Sequence, residues 1–299
     1  MISRPMARTA PFKLLSDFDG VWTDQAFEAQ NVKLYLIAEA ARLANVGADQ
    51  AREHFEEFER HVKLEPARYG WAPDGRITAY VDEDPFCEAN AIAMLLDERR
   101  DEPTAKRYRD AVLASGFETL TKFADHCFMT ATAAFRIQHP PALVPGAKEM
   151  LEELLAHGVE VVVVSNSSSD KIVGWFRQIG VDARVEAGGQ MRVRGAAQKM
   201  TLGPTDASIQ LAGRTIRVDR PLYRKVFDEE QPQMVIGDVF SLDLALPHVL
   251  RREKLACAPR ELVLRRHPHT PRWVLDGRAN GAIDHVVDSV RDLAALIRR

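Results

Sequence analysis

The sequence predicts an α/β protein with a doubly wound parallel sheet and an inserted helical domain. Short apolar runs alternate with helix-length segments from about residue 140 onward. A block with helical spacing of its apolar residues interrupts that pattern directly after the first apolar run. We therefore expect an α/β core of residues 12–24 and 140–299, and a helical domain of residues 25–139.

The strands of the core are predicted from runs that are apolar and rich in β-branched residues. Residues 12–16, 159–164 and 233–236 are such runs, and the second is apolar at all but one position. Strands that are covered on both faces by helices have this composition. Weaker runs at 262–264 and 273–275 are expected to add further strands.

Helices of the core are predicted between these runs, near residues 146–157, 169–179, 221–229 and 284–298. Residues 183–219 instead carry strand and turn signals, broken at Gly188 and Gly213.

The inserted block is predicted to be almost entirely helical, with one short strand near residues 77–81. Its apolar residues recur at three- and four-residue spacings, and Gly or Pro separates the segments. We expect five helices, near residues 26–45, 51–65, 86–100, 104–115 and 118–138.

Composition limits the classes of function. The 299 residues are 46% hydrophobic and 28% charged, and the net charge is −3 with a pI near 6.3, which does not favour a nucleic-acid partner. Residues 1–11 read as a loose tail without the apolar segment of a signal peptide, and no run approaches the ~20 apolar residues that span a bilayer. Cys87, Cys127 and Cys257 are far apart and are expected to be buried thiols in a reducing compartment. A cytoplasmic protein without membrane contact is expected.

Polar residues follow three of the predicted strands. In open α/β sheets, ligands bind at the carboxyl ends of the strands, so these clusters should converge. Their members are Asp17 and Asp19 after the first strand, Ser165 and Asn166 after the second, and Asp238 and Asp243 after the third.

Such a group of carboxylates suits phosphate chemistry. Neighbouring carboxylates repel one another, and a hard cation with oxygen ligands, above all Mg²⁺, relieves the repulsion. Asp17 can then attack phosphorus, while Asp19 can supply and remove a proton. Ser165 and nearby backbone N–H groups can bind phosphate oxygens, and Asp238 can bind the metal.

Together these motifs resemble those of the haloacid dehalogenase superfamily. The matching segments are Asp17-x-Asp19-Gly20-Val21-x-Thr23, Ser165-Asn166 and Gly237-Asp238-x4-Asp243. The resemblance implies that Asp17 is the nucleophile, that Asp19 is the acid/base, and that Ser165 and Asn166 bind phosphate. It further implies Mg²⁺ bound by Asp17, Asp238 and the Asp19 carbonyl, with Asp243 in support. An acid two residues after the nucleophile is typical of the family's phosphatases and phosphomutases.

The third motif of that family, a lysine that is often followed by proline, has no clear match. Arg220 precedes a proline and is the preferred candidate, and Lys225 lies about one turn further on. Lys199 ranks below both, because a β-rich stretch separates it from the next predicted strand of the sheet.

The position of the insert resembles the C1 type of cap in this family. A C1 cap implies a small phosphorylated metabolite as substrate, and the chain is expected to be a monomer or small homo-oligomer. A phosphomutase that uses the same pair of Asp residues, or an inactive family member, remains the alternative to a phosphatase. Ser167–Ser169 are read as a helix cap, and His267 and His269 as parts of a loop.

Overall fold

A seven-stranded parallel sheet organises the chain in the computed structural model, which describes residues 11–139, 142–278 and 280–297. Its strand order is β11-β10-β9-β1-β4-β6-β5. The predicted fold class is thereby confirmed. The strands of this sheet are β1 (Lys13–Ser16), β4 (Glu160–Val164), β5 (Ala183–Arg184), β6 (Met191–Arg194), β9 (Met234–Gly237), β10 (Glu261–Arg265) and β11 (His285–Val287). Two antiparallel pairs lie outside it. They are β2 (Gly70–Trp71) with β3 (Ala79–Tyr80), and β7 (Ser208–Leu211) with β8 (Arg214–Arg217).

Alternate residues of the central strands face two separate hydrophobic layers. Val161 and Val163 of β4 belong to one apolar cluster, and Val162 and Val164 belong to the other. The first cluster also contains residues of α6, α7 and α11, and the second contains residues of α8, α9 and α10. The helices on the two faces are α6 (Ala147–Ala156), α7 (Ser169–Gln178), α8 (Pro221–Glu230), α9 (Ala245–Arg252), α10 (Arg272–Asp276) and α11 (Leu293–Ile297).

The block of residues 25–139, which we call the insert, is largely helical as predicted. Its helices share a third hydrophobic cluster, to which all five contribute. They are α1 (Ala26–Ala44), α2 (Ala48–Leu64), α3 (Cys87–Glu98), α4 (Pro103–Ala114) and α5 (Leu120–Gln138).

Residues 70–86 of the insert, which we call the anchor segment, contact the core. The Glu83 carboxylate is buried and accepts hydrogen bonds from the Ser241 N–H (2.9 Å) and hydroxyl (2.5 Å). Arg214 of β8 pairs with Asp82 at 2.6 Å. The insert is therefore held to the core by a third connection in addition to its two chain crossings.

Two predicted elements near the C-terminus are wrong in type. The run at 273–275 lies in the short helix α10, where Trp273 and Val274 pack into a hydrophobic cluster. The predicted helix 284–298 begins instead as strand β11, because Val286 and Val287 extend the sheet edge along β10, and only Leu293–Ile297 is α-helical.

The three cysteines are buried and unpaired, as predicted. Among the described residues, no helix is both long and apolar enough to cross a bilayer. Of the predicted tail 1–11, only residue 11 is described, and the predicted domain boundary at residue 140 also falls outside the described residues.

Candidate active site

A cavity of about 410 Å³ lies between the carboxyl ends of the central strands and the insert. We call its core side the floor and its insert side the roof. The floor residues are Asp17, Asp19, Ser165, Asn166, Ser167, Ser168, Lys171, Ala196, Lys199, Met200, Asp238, Val239 and Leu242. The roof residues are Gln25, Glu28, Trp71, Asp84, Phe86, Phe128, Met129, Thr132 and Arg136.

Three carboxylates converge in the floor. Asp17 follows β1, Asp238 follows β9, and Asp243 lies in a π-helical turn at Phe240–Leu244 that brings it back beside them. Each offers an oxygen atom, and these atoms all lie within 4.8 Å of one another. The predicted convergence of the acids that follow the first and third of those strands agrees with this geometry.

Burial and neighbouring negative charge raise the pKa of two of these carboxylates. Burial, followed by the charge of Asp243, raises the pKa of Asp17 to about 8, against the opposing charge of Lys199. Burial likewise raises the pKa of Asp238, with further increases from Asp243 and Asp17. This group of acids is therefore costly to ionise without additional positive charge nearby.

Lys199 supplies the cation that contacts Asp17. Its ammonium lies 2.7 Å from an oxygen of Asp17 and 2.7 Å from an oxygen of Asp243. Burial lowers its pKa, but the charges of Asp17 and Asp243 outweigh burial and raise the pKa above its ordinary value. Lys199 thus stays protonated and holds both carboxylates in place.

The structure places Arg220 and Lys225, the two preferred candidates for this cation, elsewhere. The buried Arg220 guanidinium donates to the backbone carbonyls of Thr78 (2.7 Å) and Lys199. Burial lowers its pKa to about 10. The Lys225 side chain is 71% exposed and lies near Glu229 on α8. The placement predicted for them is therefore wrong, because the loop after β6, and not the start of α8, passes beside Asp17.

Asp19 is bound as a carboxylate on the other side of the floor. Its oxygens accept hydrogen bonds from Lys171 (2.7 Å), Ser167 (2.7 Å) and Ser165 (3.1 Å). Burial raises its pKa, but Lys171 and the two hydroxyls outweigh burial, so that the net pKa of Asp19 is lowered. Asp19 is therefore ionised in this arrangement.

Ser165 and Asn166 both reach the floor, with their side chains already bonded. The Ser165 hydroxyl donates to Asp19 and accepts from the Ser167 N–H at 3.0 Å. The Asn166 side-chain oxygen accepts the Lys199 N–H at 2.7 Å. Asn166 thus fixes the backbone of the loop that carries the Lys199 side chain.

Gly20 and His267 support Asp238. Gly20 has φ +79°, and a Cβ atom there would lie 2.0 Å from an Asp238 oxygen, so only glycine permits this approach. The His267 ring donates through Nε2 to the Gly20 carbonyl at 2.8 Å, and the same nitrogen is 3.6 Å from Asp238. Burial, together with Arg265, lowers the pKa of His267 to about 4, so the ring is neutral.

The acidic cluster fits a divalent cation with oxygen ligands. One oxygen of Asp238 is buried and has no hydrogen-bond partner among the described residues. Lys199 contacts Asp17 and Asp243 but supplies one positive charge for three carboxylates, so their full ionisation would leave uncompensated negative charge. A hard cation bound to carboxylate oxygens satisfies both conditions.

Sequence reasoning missed Ser167 and Lys171 of this floor and His267 beside Asp238, and it ranked Lys199 too low. Ser167 contacts Asp19, whereas the predicted cap function belongs to Ser168, whose hydroxyl accepts the Lys171 N–H. Lys171 and His267 were also not assigned. Identifying 191–194 as the parallel neighbour of β4 would have placed Lys199 in a loop at the carboxyl end of the sheet.

No family model matches the sequence, and no curated protein matches it. Solved structures to which the chain is similar include a haloacid dehalogenase-like hydrolase from Streptococcus pneumoniae, with 12% identity, 96% and 98% of the two chains covered and a TM-score of 0.47. A predicted phosphoglycolate phosphatase from Haemophilus somnus has 14% identity, 97% and 100% coverage and a TM-score of 0.46. A 2-haloacid dehalogenase from Pseudomonas syringae has 15% identity, 97% and 99% coverage and a TM-score of 0.42.

Two of these structures are named as haloacid dehalogenases or haloacid dehalogenase-like proteins, the family that the sequence motifs resemble. At identities of 12–15% and TM-scores of 0.42–0.47, this similarity does not show the activity of the chain. The parallel sheet itself shows the fold class, and the chemistry of the protein depends on the residues in the floor of the cavity.

Proposed function

We propose that this chain is a Mg²⁺-dependent phosphohydrolase of the haloacid dehalogenase type that cleaves a small phosphomonoester. One observation carries the proposal. Asp17 lies at the carboxyl end of β1, within 4.8 Å of Asp238 and Asp243 by their oxygens and 2.7 Å from the Lys199 ammonium. The floor thus combines a nucleophile with the charges that phosphoryl transfer requires.

Asp17 is the proposed nucleophile. Its free carboxylate oxygen attacks phosphorus, the bond to the ester oxygen breaks, and an aspartyl-phosphate forms on Asp17. Lys199 orients Asp17 and offsets the negative charge of the incoming phosphate. Mg²⁺, held by Asp17, Asp238 and the Asp19 carbonyl, would neutralise phosphate oxygens.

Asp19 is the proposed general acid and base. As a carboxylate, it suits the second half of the reaction, in which it removes a proton from the water that hydrolyses the aspartyl-phosphate. In the first half it has to donate a proton to the leaving alkoxide. Its bonds to Lys171, Ser165 and Ser167 disfavour that proton, so substrate binding has to alter at least one of these contacts.

Ser165 and Asn166 are proposed to receive the phosphate, together with the N–H groups at the start of α7. The insert is proposed to act as a C1-type cap that encloses the leaving group. The irregular third motif was the one feature that favoured an inactive family member, and Lys199 at 2.7 Å from Asp17 supports an active enzyme instead.

The test is phosphate release from a panel of small phosphate esters, with Mg²⁺ and with EDTA. Wild type should release phosphate only with the metal, and Asp17→Asn should lose at least about 10³-fold in kcat. Asp228→Asn is the matched control, because Asp228 is a half-exposed aspartate on α8 that pairs with Arg224.

Equal inactivity of wild type and Asp17→Asn with Mg²⁺ across the panel would remove the hydrolase proposal. A metal-dependent conversion of the ester that releases no phosphate would assign the same Asp pair to a phosphomutase.

A further inference from the structure

The roof of the cavity differs in chemistry from the floor, and the roof is where the leaving group of a substrate would lie. Trp71, Phe86 and Phe128 line it with aromatic rings. Phe128 contacts both other rings edge to face, with centroid distances of 5.2 Å to Trp71 and 5.4 Å to Phe86. Phe86 and Phe128 are only partly buried. The two rings therefore keep apolar surface that is open to the cavity.

The charged groups of the roof are predominantly acidic. Asp84 is buried and accepts a hydrogen bond from the Phe86 N–H at 2.9 Å, and its charge interacts with those of Asp19 and Asp243. Glu28 is also buried and lies 3.3 Å from Arg136. Arg136 is the one cation among the described residues of the roof, and it is paired with Glu28. A carboxylate on the leaving group would find no free cation here and would face Asp84.

The remaining polar group of α5 in the roof is bonded internally. The Thr132 hydroxyl donates to the backbone carbonyl of Phe128 at 2.8 Å. The cations of the floor, Lys171 and Lys199, are held by Asp19 and Asp17 next to the phosphate position. Apart from Gln25, the polar side chains of the roof are therefore engaged with one another or with the backbone of the insert, whereas the aromatic rings present apolar surface to the cavity.

On the basis of the proposed function, we propose that the substrate is a phosphomonoester whose leaving group carries an uncharged apolar ring. The ring packs against Phe86 and Phe128, while the phosphate lies on the floor. Asp84 discriminates against leaving groups that carry a carboxylate. A cavity of about 410 Å³ is within the size range that accommodates ligands of this kind.

Three esters of primary alcohols separate these contributions. Ethyl phosphate is the reference, 2-phenylethyl phosphate adds a ring, and phosphoglycolate replaces the methyl group with a carboxylate. We expect kcat/KM for 2-phenylethyl phosphate to exceed that for ethyl phosphate roughly ten- to hundredfold, as burial of a phenyl ring would give. Phosphoglycolate should be the poorest of the three.

Conservative variants assign the preference to the roof. Phe128→Leu and Phe86→Leu should each lower the ratio of kcat/KM for 2-phenylethyl phosphate to kcat/KM for ethyl phosphate several-fold. Phe117→Leu is the matched control, because Phe117 is a partly buried ring that packs within the insert against Phe123 and does not line the cavity. Its ratio should stay at the wild-type value.

Asp84→Asn keeps the oxygen that accepts the Phe86 N–H and removes the charge. The variant should raise the ratio of kcat/KM for phosphoglycolate to kcat/KM for ethyl phosphate roughly five- to tenfold, because one nearby negative charge is removed. An enzyme that releases phosphate from ethyl phosphate without favouring the ring, or whose preference survives both Phe variants, overturns the inference and leaves the proposed function intact. Absence of metal-dependent phosphate release from all three esters and from the wider panel overturns the proposed function itself.

Discussion

The floor and the roof of the cavity differ in the chemistry of the groups that they present to a ligand. The floor polar groups are bonded mainly to one another: Lys199 to Asp17, Lys171 to Asp19, and Asn166 to the backbone of Lys199. The roof exposes aromatic rings, and its one described cation is paired with Glu28. A charged, internally bonded floor fixes the geometry of a reaction, whereas an apolar roof contributes shape and burial.

Removal of Lys199 is the strongest test of the charged floor. Lys199→Met should lower kcat/KM by about 10³-fold, because Asp17 and Asp243 lose the cation that orients them. The comparison is Lys225→Met, which removes an exposed lysine of α8 and should change kcat/KM less than twofold. Equal losses in both variants would contradict the assignment of Lys199.

The link between insert and core is tested through Glu83. Burial raises the pKa of Glu83 to about 7 from an ordinary 4.5, so the folded state holds this proton more tightly than the unfolded chain. The stability due to this proton is present below pH ~4.5 and is lost as pH rises through ~7, by about 3 kcal/mol in total. Glu83→Gln has no such loss, so its free energy of unfolding should increase relative to that of wild type as the pH rises over this range.

Urea unfolding at several pH values measures the difference between Glu83→Gln and wild type. Glu102→Gln, an exchange at a more exposed glutamate of the insert, should show no such trend. A difference that does not vary with pH would show that Glu83 is not the buried acid we describe.

Metal binding to the acidic cluster gives an effect on stability that does not depend on turnover. Mg²⁺ at about 100 times its Kd should stabilise wild type by about 2.7 kcal/mol. Asp238→Asn should lose most of this gain. Without metal it should be at least as stable as wild type, because burial and the neighbouring Asp243 and Asp17 disfavour the charged form of Asp238.

Unfolding curves with Mg²⁺ and with EDTA test this prediction, and Asp228→Asn should respond to Mg²⁺ as wild type does. A full response of Asp238→Asn to Mg²⁺ would place the metal elsewhere.

Of the four predicted changes, the replacement of Lys171 should have the smallest effect. Lys171→Met should lower kcat roughly tenfold, because Asp19 loses the partner that fixes its orientation. The pKa of Asp19 should rise at the same time, since Lys171 is the main group that lowers it against burial. The acidic limb of the pH–rate profile should therefore move to higher pH.

Lys148→Met, at a half-exposed lysine of α6, is the control for the loss of a lysine. An unchanged profile in Lys171→Met would show that Asp19 does not determine that limb.

Local sequence patterns were sufficient to predict most of the helices and strands and the acidic residues of the floor. Apolar runs located β1, β4 and β9, and the acids that follow β1 and β9 meet because parallel strands end at one edge of the sheet. Helical spacing located all five helices of the insert. The strand β11 was missed because its pairing with the edge of β10, and not its own composition, decides its conformation.

The sequence by itself determined the parallel fold and the convergence of Asp17 with Asp238, because both follow from the period and order of strands. The tertiary structure alone decided which cation meets Asp17. Arg220 has the expected neighbour in sequence, but its guanidinium is used to hold Thr78 and the Lys199 backbone. Lys199 reaches Asp17 because β6 pairs with β4, and such a pairing joins residues whose separation along the chain gives no local signal.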